Sequence, residues 1–208
     1  MKDLTIIRLP VDASADAALM TDVALLVNRV YAVAEQGLWR AGAERTSADE
    51  ISRLTLAGEI AVARLEGRLV GCVRVRHLDD ITGEFGMLAA DPDHRGIGIG
   101  RELVHFAEQG CKNAGLAVMQ LEVLFPREWS HPSKEFLATW YTSIGYRKVR
   151  TGVIDESYPH LAPLLATPCA FVVYNKDLLS EPSTPWYVHV LGGPKGPVRP
   201  TGDRQPED

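Results

Sequence analysis

The sequence predicts an α/β (α+β) domain with a mixed, mostly antiparallel central sheet, on three observations. Segments of period-two and helical apolar spacing follow one another as β-α-α-β-β-β-α-β-α-β-β, about seven strands flanked by about four helices. The strands Ile60-Ala-Val-Ala-Arg-Leu and Leu69-Val-Gly-Cys-Val-Arg-Val-Arg are joined only by Glu66-Gly67-Arg68, which makes them an antiparallel hairpin. Ala117-Val-Met-Gln-Leu-Glu-Val-Leu-Phe is long and apolar enough to lie centrally in the sheet.

Each element has its own local reason. Leu4 to Leu9 is a β-rich segment closed by Pro10. Residues 21–36 set Val23, Val27, Val30 and Ala34 at helical spacing, with Leu26 on the same face and Asp22 in the first turn. A polar link, Gln36 to Arg45, carries Trp39 and Arg40. Ser47 and Glu50 have capping-box spacing and open a short second helix that ends near Gly58. Asp79-Asp80 turns the hairpin into a third strand, which enters the stretch Glu84–Gly100, EFGMLAADPDHRGIGIG. From Arg101 a helix stacks Leu103, Phe106, Ala107, Gly110 and Ala114 on one side, and Gly115 fits its C-terminal cap. Ser133 to Ile144 is the fourth helix, with Phe136, Leu137, Trp140, Tyr141 and Ile144 apolar and Gly145 at its stop. Tyr146 to Ile154 and Ala170 to Leu178 complete the strands, with a helical turn expected at Leu161 to Leu165 between them. Residues 1–180 thus read as the domain. Residues 181–208 hold 6 of the 13 prolines and read as a tail, in which residues 186–191, Trp-Tyr-Val-His-Val-Leu, are apolar enough to dock or add a strand.

The formal charge of −5, from 27 acidic and 22 basic residues, opposes non-specific nucleic-acid binding and attachment to anionic membrane. No apolar run is expected to reach the length of a membrane span, and the N-terminus lacks a secretory layout. Cys72, Cys111 and Cys169 are odd in number, far apart and set in apolar surroundings, as buried reduced thiols of a cytoplasmic protein would be. There is no CxxC motif and no close His/Cys pair, so no metal is expected. His77, His131 and His160 are isolated and default to structural or surface roles.

The most informative stretch runs from strand through a glycine-rich turn into a helix, an arrangement that aims backbone N–H groups and a positive helix end at a phosphate. A P-loop is excluded because the chain has no Gly-Lys-Ser or Gly-Lys-Thr. A dinucleotide fingerprint is excluded because Arg101 stands where its last glycine belongs and three strands come first. Arg95-Gly96-Ile97-Gly98-Ile99-Gly100 fits Arg/Gln-x-x-Gly-x-Gly/Ala instead. Three alternating glycines exceed what a tight turn needs, and close backbone approach to a ligand accounts for the excess.

These residues and the preceding strand resemble the acetyl-CoA motif of the GCN5-related N-acetyltransferase (GNAT) superfamily. The resemblance extends to Trp140-Tyr-Thr-Ser-Ile-Gly-Tyr146, which is similar to the family's helix-ending aromatic-Tyr-x-x-x-Gly-Phe/Tyr element. It implies a sheet whose strands splay at the acyl-CoA site, with acetyl-CoA as acyl donor. The N–H groups from Arg95 through Arg101 would hold the pyrophosphate, and strand residues Leu88, Ala89 and Ala90 would line the pantetheine arm. The Leu88 amide would polarise the thioester carbonyl. Glu84 matches the family's glutamate base and Tyr141 its general acid, with Glu122 as the alternative carboxylate. Lys134 departs from the asparagine that relatives often carry there. Trp39, Arg40, Trp129 and Tyr158 fall on the links from which relatives build their acceptor pocket. The resemblance implies direct transfer of acetyl to a primary amine of a small molecule or peptide. A non-catalytic acyl-CoA-binding module on the same fold is the alternative, and a homodimer is left open.

Overall fold

In the computed structural model, residues 3–179 are described. The strands are β1 (Leu4–Arg8), β2 (Ile60–Leu65), β3 (Arg68–His77), β4 (Thr82–Ala90), β5 (Val118–Pro126), β6 (Arg147–Gly152) and β7 (Cys169–Asp177), and the helices α1 (Ala17–Ala34), α2 (Ala48–Leu56), α3 (Ile99–Asn113) and α4 (Pro132–Ser143). They form one seven-stranded sheet in the order β1-β2-β3-β4-β5-β7-β6. All neighbours are antiparallel except β4 and β5. The tail from Glu181 and its segment 186–191 lie outside the described residues.

Alternation along the strands divides the core between the two faces. Ile60, Val62 and Cys72 pack with Met20, Val23, Val27 and Ile51 of α1 and α2. Ala61, Ala63, Val73, Val75 and Phe85 pack on the opposite face with Leu103 and Ala107 of α3 and Tyr141 of α4. The β2–β3 hairpin closes through Glu66 and Gly67, both with positive φ, a turn whose twist suits paired strands.

Several boundaries move for visible reasons. Helix α1 starts at Ala17 rather than at residue 21, because the Asp16 carboxylate accepts the Leu19 N–H at 3.0 Å and caps it there. Ser47 Oγ accepts the Glu50 N–H at 3.2 Å, but Glu50 does not complete the capping box; its Oε2 accepts the Thr46 hydroxyl at 2.9 Å. Helix α3 begins at Ile99, so Gly100 is helical and the positive-φ residues are Gly96 and Gly98. Phe136 is 66% exposed, off the core face of α4, whose buried residues are Lys134 and Tyr141. The expectation of no spanning-length apolar run is corrected in α1, which by length and composition is long and apolar enough to cross a membrane. Here its Met20, Val23, Ala24, Leu26 and Val27 are buried side chains of the fold.

A buried ion pair ties the end of α1 to the start of α4. Lys134 Nζ lies 2.6 Å from Glu35 Oε1, with side-chain exposures of 4% and 5%, and Trp39 Nε1 donates to Glu35 Oε2 at 2.6 Å. Burial alone would raise the Glu35 carboxyl, but Lys134 and then Arg45 outweigh it and hold it below its usual value. The pair's contribution is therefore present above the ordinary glutamate range and is lost as pH falls through the lowered folded-state value. Removing one partner strands the other charge in the interior. Lys134→Met is expected to lower unfolding free energy by roughly 3–5 kcal/mol at neutral pH. The double variant Glu35→Gln/Lys134→Met should recover most of that in urea titrations; a Lys134→Met protein as stable as the parent would contradict this account.

Candidate active site

The site begins where the sheet divides. β4 and β5 pair only at Thr82↔Val118, Gly83↔Met119 and Glu84↔Gln120. β4 then stays with β3 as far as Ala90, while β5 stays with β7 as far as Pro126. Beyond Glu84 the β5-facing edge of β4 has no strand partner among the described residues. A cleft of about 890 Å³ opens there, lined by Leu88 and Ala90, by Gly96, Gly98 and Gly100, and by Glu84, Glu122, Tyr141 and Tyr158.

A bulge in β4 shapes the exposed edge. Cys72 pairs with Ala89 but Arg74 with Gly86, so Val73 faces both Met87 and Leu88. Met87 takes φ 50°, a left-handed conformation that costs a side-chain-bearing residue of order 1–3 kcal/mol. The extra residue reverses the alternation. Phe85 joins the α3/α4 face, whereas Met87 and Ala89 pack toward α1, and Leu88 and Ala90 return to the side of α3 and α4.

At one end of the cleft, the turn before α3 is pre-set for an anion. Gly96 and Gly98 have φ of 83° and 85°, and Gly98 is the N-cap, so the first amides of α3 lack carbonyl partners within the helix. A Cβ at Gly100 would meet nothing, which leaves room for a ligand against that turn. Asp91 anchors the segment from below. Its carboxylate accepts the Asp93 N–H at 3.0 Å and meets Arg29 of α1 at 2.8 Å. Burial raises the Asp91 carboxyl, but these donors hold it below the usual value.

At the other end, Glu84, Glu122 and Tyr158 line the cleft and are linked to one another through Arg76 and Gln120 behind them. Glu84 is 4% exposed; its Oε1 accepts Arg76 Nε at 2.8 Å and its Oε2 accepts Gln120 Nε2 at 3.3 Å. Gln120 also donates to Glu122 Oε1 at 3.4 Å, and the Tyr158 hydroxyl donates to Glu122 Oε2 at 2.9 Å. Burial first, and then the charge of Glu84, push the Glu122 carboxyl above its ordinary value. Burial likewise raises the Tyr158 and Tyr141 hydroxyls, so both are neutral donors. Tyr141 is 5% exposed among the rings of Trp140, Phe85 and Tyr146, at 4.9, 6.0 and 5.8 Å.

The structure thus brings Glu84, Leu88, Ala90, Arg95, Gly96, Gly98, Ile99, Gly100, Arg101, Glu122, Tyr141 and Tyr158 to one cleft. Others fall elsewhere. Ala89 is turned into the α1 face by the bulge, and Ile97, 39% exposed, does not line the cleft. Trp39 and Arg40 line a neighbouring cavity of about 430 Å³. Trp129 lines neither; it stacks on His131 at 5.2 Å and covers Gly37. Sequence reasoning missed Arg76 and Gln120. Their signal was alternation, since Arg74 and Arg76, and Gln120 and Glu122, place polar groups at every second position of otherwise apolar strands.

Comparison with known proteins agrees with this architecture. The family described as "Acetyltransferase (GNAT) family" matches residues 28–136. The UPF0039 protein C11D3.02c of Schizosaccharomyces pombe is 24% identical over 149 residues, 71% of this chain and 88% of the relative. The PaiA N-acetyltransferase of Thermoplasma acidophilum, solved with coenzyme A, superposes with a TM-score of 0.61 at 14% identity, covering 84% of this chain and 99% of that one. N-acetylglutamate synthase of Neisseria gonorrhoeae, solved with coenzyme A and N-acetyl-glutamate, gives 0.56 at 15% identity over 86% of this chain, which spans only 36% of that larger protein. A sheet that divides after Glu84, a glycine turn capping α3 and the match over residues 28–136 together assign the chain to the GNAT family of acetyltransferases.

Proposed function

We propose that the protein transfers acetyl from acetyl-CoA directly to a primary amine of a small molecule or peptide. The observation that carries this reading is the continuity of the cleft. It joins an anion-cradling turn at one end to a buried carboxylate cluster at the other, with the unpaired edge of β4 between them. The residues fit the donor: Gly96 and Gly98 adopt the backbone an anion nest needs, and a Cβ at Gly86 or Gly100 would meet open space. Bound acetyl-CoA supplies an acetyl group activated as a thioester. Cys72, Cys111 and Cys169 are buried and line no part of the cleft, which favours direct transfer over a cysteine-linked intermediate.

The chain's residues divide the work. The Leu88 amide, on the β4 edge left by β5, faces the Tyr31 hydroxyl, and with the thioester oxygen in that hydroxyl's place it donates to the oxygen that gains charge as an amine attacks. An incoming ammonium must first lose a proton, and Glu122 is the better acceptor of the two carboxylates. Glu84 accepts from the Arg76 cation as well as from Gln120, whereas Glu122 accepts from the neutral Gln120 and Tyr158 and has the raised affinity for a proton. Glu84 then serves to raise Glu122 rather than to take the proton itself. The Tyr141 hydroxyl, kept neutral by burial, donates to the departing thiolate.

Release of free thiol from acetyl-CoA in the presence of an amine panel tests the reading. Binding of acetyl-CoA without thiol release from any amine would replace it with a non-catalytic binding module. Glu122→Gln is expected to lower kcat by about 10²-fold or more with acetyl-CoA affinity preserved. Because only ionised Glu122 accepts a proton, the acid limb of kcat/KM should lie above the ordinary carboxylate range. Glu84→Gln removes one of the charges raising it, so that limb should move to lower pH. Loss of activity in Glu84→Gln with Glu122→Gln unimpaired would return the base to Glu84. Tyr141→Phe should slow transfer by roughly 10²-fold at an unchanged melting temperature; a parental rate would leave Tyr141 a packing residue only.

A further inference from the structure

The second cavity bears on which amine is accepted, and this inference rests on the transfer reading above. The cavity, about 430 Å³, is enclosed by the second half of α1, the link between α1 and α2, and Leu161 and Leu164. It meets the main cleft along a shared wall of Tyr31, Glu35, Glu44, Arg45 and Leu161. It therefore adjoins the acceptor side without lying on the path from the glycine turn along β4.

Arg45 is the unusual group in that wall. Its guanidinium carbon sits 5.3 Å from the Tyr31 ring centre and 5.4 Å from that of Trp39. Asn28 Oδ1 fixes its backbone, accepting the Arg45 and Thr46 N–H groups at 2.9 and 3.0 Å. Yet its Nε is buried without a hydrogen-bond acceptor among the described residues. The nearest carboxylate, Glu35, is already engaged: Lys134 takes one oxygen at 2.6 Å and Trp39 the other at 2.6 Å, leaving Arg45 Nε at 3.9 Å. A guanidinium held rigid with an unfilled buried donor is costly unless something accepts from it. Arg40 lines the same cavity, and the opposing Glu44 is exposed.

A planar fork of donors between two rings suits a carboxylate, which accepts two parallel N–H bonds. We infer that this side cavity binds a carboxylate of the acceptor, so that the substrate is an amino acid or another amine bearing a carboxylate. Its amine would face Glu122 and its carboxylate Arg45, with Arg40 as a second cation.

Thiol release is measured with matched pairs, an amino acid and its decarboxylated amine: L-lysine and cadaverine, L-phenylalanine and phenethylamine, L-methionine and 3-methylthiopropylamine. The carboxylated member should be preferred, mainly through KM. Arg45→Gln should reduce that preference about tenfold or more, and Arg40→Gln, at an exposed position that does not threaten folding, by less. Preference for the decarboxylated members, or a preference untouched in both variants, overturns the inference while leaving acetyl transfer standing. If acetyl-CoA binds and no amine turns over, the transfer reading fails, and calorimetric titration with the same amino acids decides the cavity separately. Binding weakened by Arg45→Gln supports it; no binding, or equal binding to parent and variant, overturns it.

Discussion

The structure depends on the failure of two central strands to stay together. β4 and β5 are each locked on their outer sides by antiparallel ladders, with β3 and with β7, and share only three paired residues. The bulge at Met87 adds local twist to β4 just past the last shared pair. Peptide groups on the inner edges therefore lose the partners that a continuous sheet would provide. Buried backbone groups are rarely left unpaired, so an opening of this kind is stable when water or a ligand completes it. The cleft, the glycine turn that α3 carries to its mouth and the amide of Leu88 all follow from that division.

Placing charge in the division demands balance. Glu84 and Glu122 lie near enough for one to raise the other, and an uncompensated pair of carboxylates, one buried and one half-buried, would be expensive. Arg76 cancels Glu84, Gln120 bridges the two, and Tyr158 supplies Glu122 with a neutral donor. The two acids are thereby made unequal. One meets a cation directly, and the other has a raised affinity for a proton, a distribution suited to proton acceptance by Glu122.

The sequence revealed the parts that local chemistry decides. The hairpin at Glu66-Gly67, the Ser47 cap, the Gly115 stop and the glycine turn before α3 are each written in adjacent residues, and each appears in place. Features decided by non-local packing were not legible. Met87 carries no glycine signal for its positive φ, so the reversal that removes Ala89 from the cleft could not be foreseen. Phe136 fits the apolar spacing of α4 yet is exposed at the cleft, while Lys134 is buried because Glu35, far away in sequence, meets it. Trp129 and Trp39 lie on links between elements, as expected, but only tertiary contacts decide that one covers Gly37 and the other holds Glu35.

Helix α1 joins these features. Asn28, Arg29 and Tyr31 of its last turns, with its C-cap Glu35, touch four different parts of the structure. Asn28 holds the link that presents Arg45, and Arg29 reaches Asp91 beneath the glycine turn. Tyr31 lies beside both the Leu88 amide and the Arg45 guanidinium, while Glu35 secures the start of α4 through Lys134. A two-substrate reaction requires donor and acceptor to be held relative to one another within a fraction of an ångström. Loops on separate strands would not guarantee that. One helix, buried along Met20, Val23 and Val27 and contacting both ends of the cleft, gives both substrates a common rigid reference.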